Sequence, residues 1–514
     1  MKQPGSDGVI LLDGNHLGIE SVVRAVRQYE KLAVDQHQLA AVGASRRVVE
    51  AVIDQGQAVY GINTGFGKLA DVSISPQSLA ELQRNLILSH CSGVGEFVPL
   101  EIGRAMLMLR ANALMKGYSG VRPELIRLLV EMFNRGVTPA VPQQGSVGAS
   151  GDLVPLAHMS AVLIGEGRAW VDGQLLPGAE ALRRVGLTPL TLEAKEGLAL
   201  INGTQYMTAY GVLGVYDAQV LAKTADIAGV LTMEALGALP DAFDAEVHRL
   251  RPHPGQMASA ENVRKLIAGS GLINRSQRQR IQDAYSLRCI PQVHGATRDA
   301  IRYAGQVLTI EINSVTDNPV VLADGERIIS AGNFHGQPVA LATDFLGIAV
   351  AEMANISERR IERLVNPALS GLPPFLVSNS GLNSGYMISQ YTAAALVSEN
   401  KVLAHPGSVD SIPTSANQED HVSMGSIAAK KLRAILENAQ HVLAIELVCA
   451  CQALEFVERR KLGPAAQAVY GLIRSAVPPL VQDRIIAQEI GEVRELITTG
   501  RIAAAAEAEV GKLH

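Results

Sequence analysis

The sequence predicts a mainly α-helical protein: a long-helix bundle preceded by a mixed, loop-rich N-terminal domain. Three observations carry that prediction. Hydrophobic residues fill 47% of the 514 positions but aromatics only 4%, and Ala and Leu recur throughout, a mixture that favours helix over strand. Five Ala/Leu-rich periodic segments follow Asn202, at 208–239, 296–315, 343–365, 386–403 and 426–457. The first and last exceed about 25 residues, a length that points to a bundle rather than to ordinary surface helices. In the last, Ala429, Leu432, Ile435, Leu436, Leu443 and Leu447 recur at three-to-four spacing or its multiples and make one apolar stripe.

The elements follow in order. "GVILLDGN" (8–15) reads as a short strand and turn, and 17–57 as two helices. "YGINTGFG" (60–67) is a loop by its glycines and its Asn-Thr-Gly turn. Helical patterns return at 78–88 and 101–114, and "VDGQLLPG" suggests a small hairpin. The change of character near Asn202 places a domain boundary there, giving an N-terminal domain at 1–200 and a bundle at 201–514. No internal repeat or low-complexity tract interrupts either.

Charge and cysteine content exclude several classes. The net charge is −5, from 45 basic and 50 acidic residues well interspersed, so neither a nucleic-acid surface nor a polybasic membrane patch is expected. The N-terminal "MKQPGSDGVILLDGN" has no apolar run of signal-peptide length. No window reaches the roughly 18 uninterrupted apolar residues of a membrane span. Cys91, Cys289, Cys449 and Cys451 form no CxxC pair, which supports neither a zinc knuckle nor a disulfide framework. The histidines show no HExxH or close-paired spacing, so no metal is expected. These features describe a soluble, cytoplasmic protein of a reducing compartment.

Polar clusters break the helical body and concentrate reactive groups: "YGINTGFG" (60–67), "SHCSGVGE" (89–96), "GSVGASGD" (145–152), "NGTQ" (202–205), "QDAYSLRCIPQ" (282–292), "TDNP" (316–319), "GNFHGQP" (332–338) and "NQEDHVS" (417–423). Singly each is weak; "TDNP" alone reads better as a helix stop than as a site. The most informative is "GSVGASGD". A phosphate loop would use its backbone N–H groups, with Asp152 capping the next helix, but the Gly-Lys-Ser/Thr ending is missing and Asp152 would repel a phosphate. A nucleophile elbow needs Gly-x-Ser-x-Gly. Ser150 fails its last position, where Asp152 stands, and Ser146 its first, where Gln144 stands.

A third reading treats Ala149-Ser150-Gly151 as one unit. If the Gly151 nitrogen attacks the Ala149 carbonyl carbon, a five-membered ring closes and two waters leave, one of them with the Ser150 hydroxyl. Gly151 has no Cβ to hinder the approach, Ser150 supplies the leaving group and becomes an exocyclic methylene, and Ala149 is small enough not to block closure. The product is an electrophile made from the chain itself.

"GSVGASGDLVPLAH" resembles the signature of the aromatic amino acid ammonia-lyases, whose Ala-Ser-Gly forms 4-methylidene-imidazole-5-one (MIO). "YGINTGFGKLAD", "EGLALINGTQ", "QDAYSLRCIPQVHGAT", "GNFHGQPVA", "NSGYM" and "SANQEDHVSMG" match as well, in order, from Tyr60 to Gly425. The resemblance implies an aspartase/fumarase-like helical architecture, an MIO from Ala149-Ser150-Gly151 with no diffusible cofactor, and a homotetramer whose active sites are shared between subunits. On that basis Tyr60 and Phe334 would reach the MIO from other chains.

The same resemblance assigns roles. Tyr60 would be the base that removes the β-proton; a phenol with pKa about 10 is a poor base unless lowered, and Arg288 with helix N-termini would lower it. Asn202 and Gln282 would hydrogen-bond the MIO carbonyl, and Tyr285 would assist near the methylene. Arg288 would bind the substrate carboxylate as a bidentate fork, and Phe334 would pack beside the MIO and exclude water. Ser89-His90 and Glu419 point to L-histidine as the substrate, with Met387 in the same pocket. A carboxylate binds an imidazole N–H but is costly to desolvate against a phenyl ring. The expected reaction is ammonia elimination to trans-urocanate, the opening step of histidine breakdown. The alternatives are a tyrosine or phenylalanine ammonia-lyase, an MIO aminomutase, and, outside enzymes, a helical scaffold whose loop never cyclises.

Overall fold

The structure, a computed structural model, describes residues 8–273 and 281–514; the first seven residues of the N-terminal stretch read above lie outside it. The five periodic segments are helices, Gln205–Leu236, Ile290–Glu311, Gln337–Val365, Met387–Leu403 and Gly425–Ala453. Gly237, at φ +56°, ends the first in the left-handed conformation that closes many helices. Gln337–Val365 and the run Gly425–Phe456 are long and apolar enough to cross a membrane, yet most of each such stretch is buried in the protein.

The chain divides into two compact units interleaved along the sequence. One comprises Met1–Leu213, Gly305–Asp344 and Pro406–Lys430, the other Gly214–Ala304, Phe345–His405 and Lys431–His514. The expected single boundary at 200/201 is thereby corrected. Four of the long helices contain a unit boundary, and a cut inside a helix leaves no linker composition to read.

In the first unit, helices Ile19–Arg27 and Gln36–Asp54 form as expected from 17–57. The strand Lys31–Val34 lies between them and pairs in parallel with Val9–Leu12. That strand was not expected, because four residues are too few to show an alternating pattern against helical flanks. The hairpin is present: Arg168–Val171 pairs with Gln174–Pro177. Its turn residues Asp172 and Gly173 have φ +48° and +77°, as a type I′ turn requires. Thr138–Pro139 adds a third strand. Helix Leu100–Met115 is buried from Ile102 to Met115, including Arg104 and Arg110. Strand Pro142–Gln144, paired with Val94–Phe97, leads straight into the Gly-rich stretch.

The second unit is held by a buried ionic network. Asp226 accepts hydrogen bonds from Ser259 (2.7 Å), Asn262 (2.9 Å) and Arg298 (2.7 Å), with His294 Nδ1 at 2.8 Å. Burial alone would raise its carboxyl, but Arg298 and His294 outweigh burial and hold it well below the usual carboxylate range. Arg360 grips both oxygens of Glu446 (Nε at 2.5 Å, Nη2 at 2.8 Å), and Thr232 and Ser357 hydroxyls donate to the same carboxylate. The C-terminal stretch, in which no motif was legible, forms helices Pro464–Ala476, Ala487–Thr498 and Arg501–Val510, the first packing against the third.

Candidate active site

The Gly-rich stretch is pinned through its own backbone. Ser426 Oγ donates to the Ser146 carbonyl (2.7 Å), Met424 N to that of Val147 (2.9 Å) and Ser423 Oγ to that of Gly148 (3.1 Å). Ala149 packs with Val147, Val422 and Met424. Gly151 sits at φ +71°, and a Cβ there would stand 2.2 Å from the Gly203 carbonyl oxygen, so only glycine fits. Next in the chain, Asp152 N donates to that same oxygen at 2.7 Å.

Asp152 does not cap the helix it precedes, Leu153–Leu163, contrary to expectation: no side-chain cap bond forms there. Its carboxylate turns instead to the first turn of Gln205–Leu236, accepting from Met207 N at 2.9 Å, and takes the Ser146 hydroxyl at 3.1 Å. It thereby satisfies a donor that the helix start leaves open. Burial raises its pKa to about 7, against those two hydrogen bonds. The folded protein therefore keeps this proton up to about pH 7, whereas the unfolded chain releases it from 3.8. Stability contributed here falls as pH rises through that window and levels off above it. Asp152→Asn is expected to flatten that part of the urea-unfolding free energy measured between pH 5 and pH 8; an unchanged slope would refute the assignment.

Asn202 follows helix Glu196–Ile201, and its amide is fixed at both ends. Nδ2 donates to the Ser150 carbonyl at 3.0 Å, while Oδ1 accepts from Asn318 N at 2.6 Å. Arg110, fully buried, bonds the carbonyls of Asn202 and Ala199 and the side chain of Gln205, so the turn that carries the amide is anchored from within the core.

These elements surround a cavity of about 770 Å³ lined by Tyr60, His90, Ser150, Asn202, Phe334 and Glu419, together with Lys68 and Asn318. Ser150 Oγ donates to Glu419 Oε1 at 3.1 Å, and Thr414 Oγ1 to Glu419 Oε2 at 2.7 Å. His90 ends helix Leu79–His90, its Nδ1 3.1 Å from Ser89 Oγ; burial lowers its pKa and favours the neutral ring. Tyr60 OH accepts from Gly67 N at 3.4 Å.

Several expectations need correction. Tyr60 and Phe334 line the same pocket as Ser150 within one chain, so neither has to come from another copy. The 60–67 loop runs close to the Glu419 loop at Gly67, where a Cβ would stand 2.7 Å from Ser415 Oγ. The Tyr60 phenol is raised, not lowered, by burial and then by the Glu419 charge. Arg288, expected to lower it, does not line this pocket; nor do Gln282, Tyr285 and Met387. All four belong to the second unit. There Arg288 lies over the ring of the exposed Tyr285, 4.5 Å from its centroid, on helix Tyr285–Arg288, and Met387 opens helix Met387–Leu403. "TDNP" is more than a helix stop, because Asn318 lines the cavity and Asp317 pairs with the buried Lys195 at 2.9 Å.

Arg110 and Thr414 were missed. Its position in the otherwise apolar run 105–111 was a legible sign of the first. Nothing in the sequence distinguishes Thr414.

A family model for aromatic amino acid lyase matches residues 17–475, and the chain belongs to this family. It is 58% identical over 500 residues to a histidine ammonia-lyase of Symbiobacterium thermophilum, covering 97% of this chain and 99% of that one. Among solved structures it is similar to a histidine ammonia-lyase from Trypanosoma cruzi, with TM-score 0.92, 43% identity, and 98% and 96% of the two chains covered. It is also similar to a tyrosine aminomutase from Streptomyces globisporus, with TM-score 0.95, 39% identity, and 99% and 100% covered.

Proposed function

We propose that this chain eliminates ammonia from L-histidine to give trans-urocanate. The observation that carries this reading is Glu419, a carboxylate in the same pocket as Ser150, Tyr60 and His90. A carboxylate there can accept the imidazole N–H of histidine, and a phenyl ring offers it nothing.

The loop fits an MIO. Gly151 holds a conformation only glycine tolerates, and the Ser150 carbonyl, which would be the exocyclic carbonyl of the ring, already accepts from Asn202. Once formed, that ring supplies an electrophilic methylene that no unmodified side chain offers. The chain's own residues do the rest. Asn202, oriented by Asn318, stabilises charge on the Ser150 carbonyl oxygen. Tyr60 accepts the β-proton, while Phe334 and His90 wall the pocket. Burial and Glu419 raise the Tyr60 phenol, which a neighbouring cation would offset; we assign that role to Arg288 of another copy, also as the fork for the substrate carboxylate.

That assignment requires at least one further copy of the chain, and we infer the homotetramer with shared sites that the family resemblance implies. In its support, the long helices expose apolar side chains such as Phe345, Ile348, Ile388, Tyr391 and Val402, the kind of surface that subunit packing covers. A cytoplasmic location goes with free cysteines, two of them buried.

The test supplies L-histidine, L-tyrosine and L-phenylalanine separately and follows product by ultraviolet absorbance and chromatography. Urocanate from histidine alone is expected. Glu419→Gln should lower kcat/KM for histidine about 10- to 150-fold, the worth of one charge-assisted hydrogen bond. Cinnamate or coumarate would overturn the substrate, and a β-amino acid would show an aminomutase.

A further inference from the structure

A second cavity, of about 620 Å³, opens in the first unit beside the turn of the hairpin. It shares no lining residue with the pocket around Ser150, and its size suits a small molecule. Arg104 lines it and is 4% exposed. The guanidinium lies between two rings, 4.4 Å from the centroid of Tyr29 and 4.1 Å from that of Phe133. Nη1 donates to the Phe133 carbonyl (3.4 Å) and Nη2 to that of Ala25 (3.0 Å), while Nε makes no hydrogen bond.

The charges around it are unequally matched. Of the other charged groups lining the cavity, Glu30 is paired with Arg24 and Arg135 with Glu131. Lys31 donates to the Asn134 carbonyl, and Asp172 stands in the hairpin turn. No carboxylate forms an ion pair with Arg104 among the described residues. Two helix C-termini and two ring faces stabilise its charge in part, but a buried guanidinium without an anion remains a costly arrangement. Burial accordingly pushes it down to about 10.

We infer that this cavity is a second binding site, for a small aromatic carboxylate, with Arg104 and Lys31 taking the carboxylate and Trp170 the ring. A buried guanidinium without an anion, beside the exposed Lys31 ammonium, suits a carboxylate, and the aromatic wall suits a planar body. The site is independent of the chemistry proposed at Ser150.

Trp170 is the single tryptophan of the chain and lines this cavity, so its fluorescence reports on it. The full chain is titrated with benzoate, with neutral benzamide and with inorganic phosphate. A saturable change with benzoate alone is expected. It should weaken about tenfold or more in Lys31→Glu, a change at an exposed position, and in Arg104→Lys, and stay unaltered in Glu419→Gln. The inference is overturned by no saturable change with benzoate, by an equal response to benzamide or to phosphate, or by Lys31→Glu binding like the parent. In those cases Arg104 serves only to tie two helix ends together.

Discussion

Ser150→Ala is expected to fold, to weigh at most one water less than its sequence, and to lose ammonia-lyase activity by about 10³-fold or more. The parent chain should be lighter by two waters. The substitution removes one hydroxyl, whose hydrogen bond goes to Glu419 at 3.1 Å. It leaves intact the backbone bonds from Ser423, Met424 and Ser426 that hold the loop. With no leaving group on residue 150, no methylene can form, whether or not the ring closes. Gly151→Ala acts one step earlier, since its Cβ would strike the Gly203 carbonyl carbon and oxygen, and it should retain the full sequence mass. Intact mass spectrometry separates the three proteins. A parent chain of unmodified mass and without activity would sink the cyclisation and favour the scaffold, whereas an active Ser150→Ala would sink the cyclisation alone and leave the elimination to another route.

Arg360→Met should produce the largest loss of stability, about 3–5 kcal/mol by guanidinium chloride denaturation. Both Arg360 and Glu446 are fully buried. Removing the cation strands a carboxylate that keeps only the Thr232 and Ser357 hydroxyls. The double variant Arg360→Met/Glu446→Leu should recover much of the loss, because no uncompensated charge remains. If the two single effects simply add, the pair is not acting as a unit.

The sequence was most legible where chemistry is written in contiguous motifs or in long periodicity. Tyr60, His90, Asn202, Phe334 and Glu419 each stand in a distinct polar cluster, and the structure brings all five to one cavity with Ser150. The five long helices followed from Ala/Leu spacing sustained over several turns. What stayed hidden depends on partners distant in sequence. Asp152 precedes Leu-Val-Pro, a convincing helix start, yet its carboxylate serves a helix 55 residues later. Arg110 reads as an anomaly in an apolar run until the carbonyls it holds, some 90 residues on, are seen. The strand Lys31–Val34 is defined by its partner Val9–Leu12 rather than by its own four residues. Gln282, Tyr285, Arg288 and Met387 show a different limit, because a motif names a role without naming which unit carries it.

The bonds that hold the Gly-rich loop come from residues about 275–280 positions downstream. A ribosome that has just released residues 146–152 has not yet made Ser423, Met424 or Ser426, so the emerging loop has nothing to brace it. On the proposed function, ring closure that depends on those bonds waits for a chain completed through Ser426 and folded. Synthesis itself would then act as the safety catch, leaving no reactive methylene on a half-made polypeptide.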